Sequence, residues 1–302
     1  MPEQLDPRVA VYIDFDNIVI SRYNQLHRKH PVRMRDLAVP NPDTAVAQRL
    51  VEATVDLGAI LDFATSYGNV VISRAYADWS VPVNASYQKQ LIGRAVDLTQ
   101  MFPTVTSMKN GADIRLAVDV VEDLFRLPDI THVVIVAGDS DYIALAQRCK
   151  RLGRRVIGIG VAGSTSTSLA DACDEFENYD ELPGLDDDTD DLEEVIVAPV
   201  SAVSTAPEAK TKATTTPGNP QKAATQLFMR ALRLGHAKGD NDWLPATTVK
   251  NQMLRINPSF SEKGVGFSSF TDFVKDRNSI AELREDGQAR YVRLRPSYRK
   301  EQ

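Results

Sequence analysis

The sequence has 302 residues, 43% of them hydrophobic, which is enough for one large globular domain and a smaller one. It holds no apolar run of about 18 residues, which excludes a membrane-spanning helix; the N-terminus lacks a signal-peptide core, and the two cysteines lack the spacing of a zinc site. The net charge is −6, but it is unevenly distributed. Residues from Gln221 onward carry 15 Lys and Arg against 9 Asp and Glu, a net charge of +6, so the residues before Gln221 have a net charge of −12.

Strands and helices are predicted to alternate along the first 183 residues. The apolar and β-branched runs predict strands at 9–13, 70–76, 104–106, 133–136 and 155–159, with an edge strand that follows residue 175 and runs to Leu182. Helices are predicted after 14, at 44–63, 85–98, 113–125, 141–152 and 169–175. This order predicts an α/β fold, a three-layer sandwich around a mostly parallel sheet.

A change of composition follows residue 183. Residues 184–222 are first acidic and then rich in Ala, Thr and Pro, which predicts a flexible linker between a domain at 8–183 and one at 223–298. The last segment reads as three helices and a hairpin closed by Glu285, Asp286 and Gly287. Three helices and a β-wing predict a small winged helix-turn-helix domain.

Carboxylates follow two of the predicted strands. Asp14, Asp16 and Asn17 come after the first strand, and Asp139 and Asp141 come after the strand at 133–136. Ligands of open α/β sheets bind beyond the carboxyl ends of the strands, so these side chains are candidates for chemistry. Asn17 is a candidate for holding a phosphate oxygen or a metal-bound water, although it would serve equally as a helix cap.

The helix at 113–125 adds a third source of acid. Its apolar positions form one stripe that includes Asp113, so this carboxylate is expected on the buried face, where it needs a cation or a donor. Asp119 lies off the stripe, and an exposed pair with Arg115 explains it as well as a metal role does. Oxygen ligands without His or Cys favour Mg²⁺ or Mn²⁺, which predicts metal-dependent hydrolysis of a nucleic acid.

The motifs IDFDN, KNGADIRLAVD and VIVAGDSDY, in this order, resemble the NYN domain, a relative of PIN-domain nucleases. The resemblance covers roughly residues 8–183. It implies that the metal ligands are Asp14, Asp113, Asp139 and Asp141. The family usually has a small residue where this chain has Phe15, so Asp16 is a further candidate ligand. Lys109 is either a phosphate contact or an exposed lysine.

The segment WLPATTVKNQMLRINPSFSEKGVGFSSFTDFV, within residues 224–297, resembles an OST-HTH or LOTUS domain. The resemblance implies RNA or a protein as the partner. Phe267, Phe270 and Phe273 are predicted to be core residues rather than base-stacking platforms. Basic candidates for RNA contact are Lys263, Lys275, Arg277, Arg290, Arg293 and Arg295. Arg293 and Arg295 are two residues apart on one predicted strand, so their side chains share a face. This face either contacts a phosphate backbone or is simply solvated.

Two further side chains follow strands at the same sheet edge. Ser164 lies in a polar loop at 163–168 that either holds a phosphate or caps the next helix. Tyr142 either stacks on a base or packs between helices.

These observations favour a cytoplasmic Mg²⁺- or Mn²⁺-dependent endoribonuclease with a tethered RNA-binding module and no membrane partner. A homodimer is compatible with the sequence. One alternative is a non-catalytic adaptor that binds RNA or a protein. Another is a phosphatase of the haloacid dehalogenase type, in which Asp14 would be the nucleophile and Asp16 the second acid of its DxD motif.

Overall fold

The computed structural model describes residues 6–33, 37, 44–102, 111–183, 185, 220–238, 241–287 and 289–298. The chain divides into two compact units after Leu185. Most of the predicted linker and the strand predicted at 104–106 lie outside the described residues, so the linker stays a prediction.

The first unit is built on a six-stranded sheet in which every neighbouring pair is parallel. Its strands are β1 (Arg8–Asp14), β2 (Asn69–Ala77), β3 (Asp97–Gln100), β4 (His132–Val136), β5 (Arg155–Gly160) and β6 (Glu175–Asn178). Their order is β3-β2-β1-β4-β5-β6. The β-branched residues of β4 are buried because helices cover the central strands on both faces. The predicted α/β fold is confirmed.

Helices form the outer layers of this unit. They are α1 (Phe15–Leu26), α2 (Thr44–Glu52), α3 (Leu57–Thr65), α4 (Pro82–Gly93), α5 (Gly111–Arg126), α6 (Ile143–Arg151) and α7 (Thr167–Ala172). Leu116 and Val120 of α5 pack with Tyr12 of β1 on one face of the sheet, as the predicted apolar stripe requires. Side chains alternate between the two faces of the sheet along β1, so the residues next to Tyr12 in sequence point to the opposite face. On that face the fully buried α3 contacts β1.

Three predicted helix boundaries were wrong. The helix predicted at 44–63 is two helices: the first ends at Glu52, and Asp56 starts α3 as its N-cap by accepting a hydrogen bond from the Ala59 amide at 3.1 Å. The helix predicted at 85–98 ends at Gly93: Ala95 has φ of 56°, and β3 follows. The helix predicted at 169–175 ends at Ala172 and is followed by β6.

The second unit is the predicted winged helix-turn-helix. It contains α8 (Pro220–Ala237), α9 (Ala246–Ile256), α10 (Phe270–Asp276) and an antiparallel sheet of β7 (Leu244–Pro245), β9 (Ala289–Leu294) and β8 (Ala281–Asp286), in that order. Helix α8 begins at Pro220, three residues before the predicted boundary at 223. The buried ring of Phe273 contacts the rings of Phe228, Phe260, Phe267 and Phe270, which confirms that Phe267, Phe270 and Phe273 belong to the core.

The strand order of the first unit positions its candidate site. The chain builds outward from β1 to β3 on one side and then crosses back to place β4 on the other side of β1. At such a reversal the connections leave in opposite directions and open a crevice at the carboxyl ends of the two strands. Asp14 ends β1 and Gly138 and Asp139 follow β4, so the predicted acids lie at this crevice.

Candidate active site

Asp14 lies at the junction of a strand and a helix. It ends β1 and is the N-cap of α1, where its Oδ1 accepts a hydrogen bond from the Asn17 amide at 3.2 Å. The residue is only 4% exposed. A carboxylate this deeply buried requires compensation from donors or from a cation.

Tyr142 joins Asp14 to Asp113. Its hydroxyl lies 2.8 Å from Asp14 Oδ2 and 2.9 Å from Asp113 Oδ1, and its ring is buried. The phenolic group has one proton and can donate to only one carboxylate at a time. The pair is therefore undercompensated by the protein's own donors. This bridging role was not foreseen for Tyr142, and the proposed base stacking does not fit a buried ring.

Burial and mutual repulsion act on the protonation of this pair. The pKa of Asp14 is raised mainly by burial and, to a smaller extent, by the charge of Asp113. Burial is also the main cause of the raised pKa of Asp113, to which the charges of Asp139 and Asp141 contribute. Both shifts favour the neutral carboxyl groups, and a cation bound beside the pair would oppose them by favouring the charged form.

Asp139 and Asp141 lie at the exposed side of the pair. Asp139 caps a single 3₁₀ turn, Ser140–Tyr142, by accepting from the Asp141 amide at 3.3 Å, and both side chains are exposed. Their effect on the pKa of Asp113 places them within electrostatic range of it. The turn that carries these two acids also carries Tyr142, which is why all three reach one edge of the sheet.

Asn17 fastens the start of α1 to the end of β4. Its Oδ1 accepts a hydrogen bond from the Gly138 amide at 3.0 Å. This contact fixes the orientation of the side-chain amide, because only the oxygen can accept from an N–H group. Any contact of Asn17 with a phosphate oxygen would then be donated by its Nδ2.

Asp16 is held by a side chain outside the Asp14–Asp113 pair. Its Oδ1 accepts from Asn84 Nδ2 at 2.7 Å, and Asn84 also donates to the carbonyl of Asp78 at 2.9 Å. Burial raises the pKa of Asp16 to about 6. Sequence reasoning missed Asp78 and Asn84, although Asp78 directly follows β2 and so obeys the same positional rule as Asp14 and Asp139.

Asp119 belongs to a different cluster. It is buried rather than exposed, and it accepts from Arg115 Nε at 2.9 Å and from Tyr76 Oη at 3.0 Å. Arg74 joins it to Asp123, which also accepts from Tyr12 Oη. The pair with Arg115 is confirmed, but both oxygens of Asp119 are engaged between α5 and the sheet, which favours a structural role.

The polar loop after β5 lies against the end of β4. A Cβ atom added at Gly138 would come within 3.2 Å of the Ser164 carbonyl oxygen, and the Ser166 amide donates to the Gly138 carbonyl at 2.9 Å. Ser164 is exposed, and the N-cap residue of α7 is Ser166, so Ser164 is not the helix cap. The exposed Arg28 lies near this loop, since a Cβ atom added at Gly163 would come within 3.8 Å of its guanidinium, and the sequence did not signal this proximity.

The basic candidates of the second unit are in different environments. Arg277 is 4% exposed, and its guanidinium lies 3.8 Å from the centre of the Phe273 ring, so it supports the core instead of contacting RNA. Lys263 and Lys275 are exposed, and Lys275 pairs with Glu285 at 3.0 Å. Arg293 and Arg295 share Glu282 as a partner, which agrees with the predicted common face. Lys109 lies outside the described residues.

The phosphatase alternative gains no support from this geometry. Asp14 is buried and both of its oxygens accept hydrogen bonds, whereas a nucleophile must be open to a substrate. Asp16, the second acid of that motif, is held by Asn84.

Comparisons with known proteins agree with the two units. Residues 8–180 match the NYN domain model, and residues 219–293 match the OST-HTH/LOTUS domain model. An uncharacterized protein of Methanocaldococcus jannaschii is 28% identical over 123 residues, which are 41% of this chain and 47% of that protein, so the chain spans about half of the relative's length.

A crystal structure of a protein of unknown function from Vibrio parahaemolyticus matches 60% of this chain and 98% of its own, with 24% identity and a TM-score of 0.44. Within the part of the chain that the structure describes, no helix has the length and apolarity to cross a membrane. The NYN model spans more than half of the 302 residues. The chain therefore belongs to the NYN domain family, in the PIN-like nuclease superfamily, and carries an OST-HTH/LOTUS domain after its NYN domain.

Proposed function

We propose that this protein is a metal-dependent endoribonuclease whose catalytic centre is the Asp14–Asp113 pair and whose second unit binds RNA. The observation that carries the proposal is the convergence of the buried Asp14 and the half-buried Asp113 on the single hydroxyl of Tyr142 at the switch point of an NYN domain. A structural core gains nothing from such a pair, because burying two like charges side by side is unfavourable. Active sites are where this cost is commonly retained.

The donor set is suited to Mg²⁺ or Mn²⁺. Among the described residues, no three His, Cys, Asp or Glu side chains are grouped so that they could hold one ion. Mg²⁺ nevertheless commonly binds through one or two carboxylates and completes its shell with waters and substrate phosphates. Asp14 and Asp113 supply hard oxygen ligands of this kind, and their proximity to the one Tyr142 hydroxyl marks where positive charge is needed. A metal bound there would polarise a phosphoryl oxygen and neutralise charge on the leaving oxygen.

The surrounding side chains orient this pair and the substrate. Tyr142 holds the two carboxylates in a fixed geometry, and its own pKa is raised by burial and by both acids, so it stays a donor. Asp139 and Asp141 lie on the exposed side of the pair, where they could bind the metal ion directly or accept hydrogen bonds from its water ligands. The amide Nδ2 of Asn17 and the loop of Ser164 are the donors that we assign to phosphate oxygens of the RNA.

Cleavage of end-labelled RNA tests the proposal. We expect purified protein to cut single-stranded RNA internally in Mn²⁺ or Mg²⁺ and to be inactive in EDTA. The Asp139→Asn variant should lose about 100-fold or more in rate, the size usual for a lost catalytic carboxylate. Because Asp139 is exposed, this variant should fold normally, which a thermal unfolding curve would check.

A non-catalytic RNA-binding adaptor is the second candidate. It is favoured by one observation, that no three-ligand group is assembled among the described residues. Under this alternative, wild type and Asp139→Asn would bind RNA equally and neither would cut it in any metal. The cytoplasmic location, a homodimer and a protein partner for the second unit stay predictions.

A further inference from the structure

The outward face of the wing in the second unit combines aromatic rings and arginines. Inward residues Leu283 and Val292 pair across β8 and β9, and Val292 also pairs with Leu244 of β7. The flanking pairs, Glu282 with Arg293 and Arg284 with Tyr291, therefore point away from the core.

These outward side chains form one stack with Trp243. The guanidinium of Arg293 lies 4.5 Å from the centre of the Trp243 ring. Arg284 lies 4.9 Å from the same ring and 5.0 Å from the ring of Tyr291. We call Trp243, Arg284, Tyr291 and Arg293 the wing platform. Arg284 is exposed, and the other three are partly exposed.

We propose that the wing platform binds single-stranded RNA by stacking bases against its rings and guanidinium planes and by contacting the flanking phosphates. This inference rests on the proposed function, in that RNA is the substrate, and it assigns the binding surface. Aromatic and arginine planes that lie side by side are what unpaired bases stack on, and they tolerate any base because every base has a flat face.

Charge favours a polyanion at this face. This face carries three arginines, Arg284, Arg293 and Arg295, against two carboxylates. Glu282 pairs with Arg293 at 2.7 Å and with Arg295 at 3.4 Å. Asp242 lies 3.7 Å from Arg293. The carboxylates fix two of the arginines in place. The segment from Gln221 onward has 15 Lys and Arg against 9 Asp and Glu.

The phenylalanines at and before α10 pack into the core of this unit and are therefore poorly placed to stack with bases. Phe273 is fully buried, and Phe267 and Phe270 pack against it. Stacking on this unit therefore points to the wing. Single-stranded RNA fits better than duplex RNA, because a duplex hides the faces of its bases and offers only phosphates and groove edges.

Binding of RNA by the full-length protein in EDTA tests the inference without any cleavage. The probes are a fluorescein-labelled 12-nucleotide RNA of mixed sequence and the same RNA annealed to its complement. We expect Trp243→Ala and Arg284→Gln each to weaken binding of the single strand about 5- to 100-fold, the range found when one stacking partner is removed. Lys222→Gln is the charge control: it removes one positive charge from an exposed residue of α8, outside the wing, and it should weaken binding less than about threefold.

Tryptophan emission supplies a second readout. The protein has two tryptophans, and Trp79 is buried in the first unit. We expect the single strand to quench wild-type emission, the duplex to quench it much less, and Trp243→Phe to abolish the quenching. Arg284 is exposed, so Arg284→Gln remains informative if Trp243→Ala fails to fold.

The two proposals fail in different ways. Equal loss of binding in Arg284→Gln and Lys222→Gln, or unquenched emission with saturating RNA, would overturn the wing platform and leave only diffuse electrostatic attraction. Those outcomes leave metal-dependent cleavage to be judged by its own assay. Loss of binding in the platform variants, with no cleavage by wild type in Mn²⁺, would support the platform and overturn the nuclease.

Discussion

At the scale of single residues, the Tyr142 hydroxyl has one proton for two carboxylates, Asp14 and Asp113. An amide introduced at position 14 would end this conflict. Its oxygen can accept from the Asn17 amide while its NH₂ donates to Tyr142 Oη, and Tyr142 can then donate to Asp113. Tyr142 would then have both an acceptor and a donor, and the site would hold one negative charge fewer.

We therefore predict that Asp14→Asn stabilises the metal-free protein while it abolishes cleavage. The pKa of Asp14 is raised above the ordinary value of 3.8, so wild-type stability is fully present below that value and is lost as pH rises through the raised pKa. The variant should gain about 1–3 kcal/mol in free energy of unfolding at pH 8 and little at pH 4. Urea unfolding in EDTA at both pH values measures this. A variant less stable than wild type at pH 8 would contradict it.

Removal of the Tyr142 hydroxyl gives a second prediction. Tyr142→Phe should lower the free energy of unfolding by about 1–3 kcal/mol, because it removes a buried hydrogen bond to a charged group. It should also weaken metal binding or activity about 10- to 100-fold, the effect usual when ligand orientation is lost. Manganese titration of the cleavage rate separates this effect from unfolding.

The matched control is Tyr12→Phe. Tyr12 Oη donates to Asp123 at 2.9 Å in the cluster of Arg74 and Asp119, away from the candidate site. We expect a similar loss of stability and an unchanged manganese dependence. If the two variants behaved alike in cleavage, Tyr142 would have no role in orienting the site.

The sequence predicted which residue types would meet at the site but not their contacts. Asp14, Asp113 and Asp139 were placed correctly at one sheet edge, because the positions of strand ends follow from apolar runs. The division of labour between Asp14 and Asp16 was not predictable, since it depends on Asn84, which is 68 residues away along the chain. The same holds for the Tyr142 hydroxyl, whose direction is set by packing.

At the scale of elements, β-branched runs located the central strands well, and helix ends were located poorly. Helix α4 ends near Arg94, and Ala95 follows with φ of 56°, a left-handed conformation that glycine adopts more readily. The absence of glycine at this position hid the helix end from the sequence. Helix α6 ends in the same way, but with Gly153 at φ of 77°.

These two helix ends form a matched pair for a stability prediction. Ala95→Gly should raise the free energy of unfolding by about 0.5–1 kcal/mol, because relief of strain exceeds the added freedom of the unfolded chain. Gly153→Ala should lower it by about 1 kcal/mol through strain alone, since no other atom lies within 4 Å of the added Cβ. Chemical denaturation of both variants measures the changes. If both substitutions changed the free energy of unfolding in the same direction, the left-handed geometry at the two positions would be contradicted.

At the scale of the whole molecule, the NYN unit carries the candidate catalytic acids and the OST-HTH/LOTUS unit carries the arginines of the wing platform. The charge asymmetry of the sequence predicted this division in outline. The wing platform could not be read from the sequence, because Trp243, Arg284 and Arg293 become neighbours only when β7 and β8 pair with β9.

This division of tasks predicts different kinetic effects. Arg284→Gln should raise KM for single-stranded RNA with little change in kcat. The reason is that the removed contact stabilises the bound substrate and the transition state by the same amount. Steady-state cleavage of one RNA by both proteins measures the split. A loss confined to kcat would contradict a role in substrate binding.

The most direct test of the account compares two acids of helix α5. Asp113→Asn changes the site, whereas Asp119→Asn changes the cluster of Arg115 and Tyr76 on the same helix. Single-turnover cleavage of labelled RNA in Mn²⁺ is the measurement. We predict that Asp113→Asn loses about 100-fold or more in rate while it stays folded, and that Asp119→Asn is less stable but cuts RNA at nearly the wild-type rate. Undiminished cleavage by Asp113→Asn would contradict the assignment of the catalytic centre.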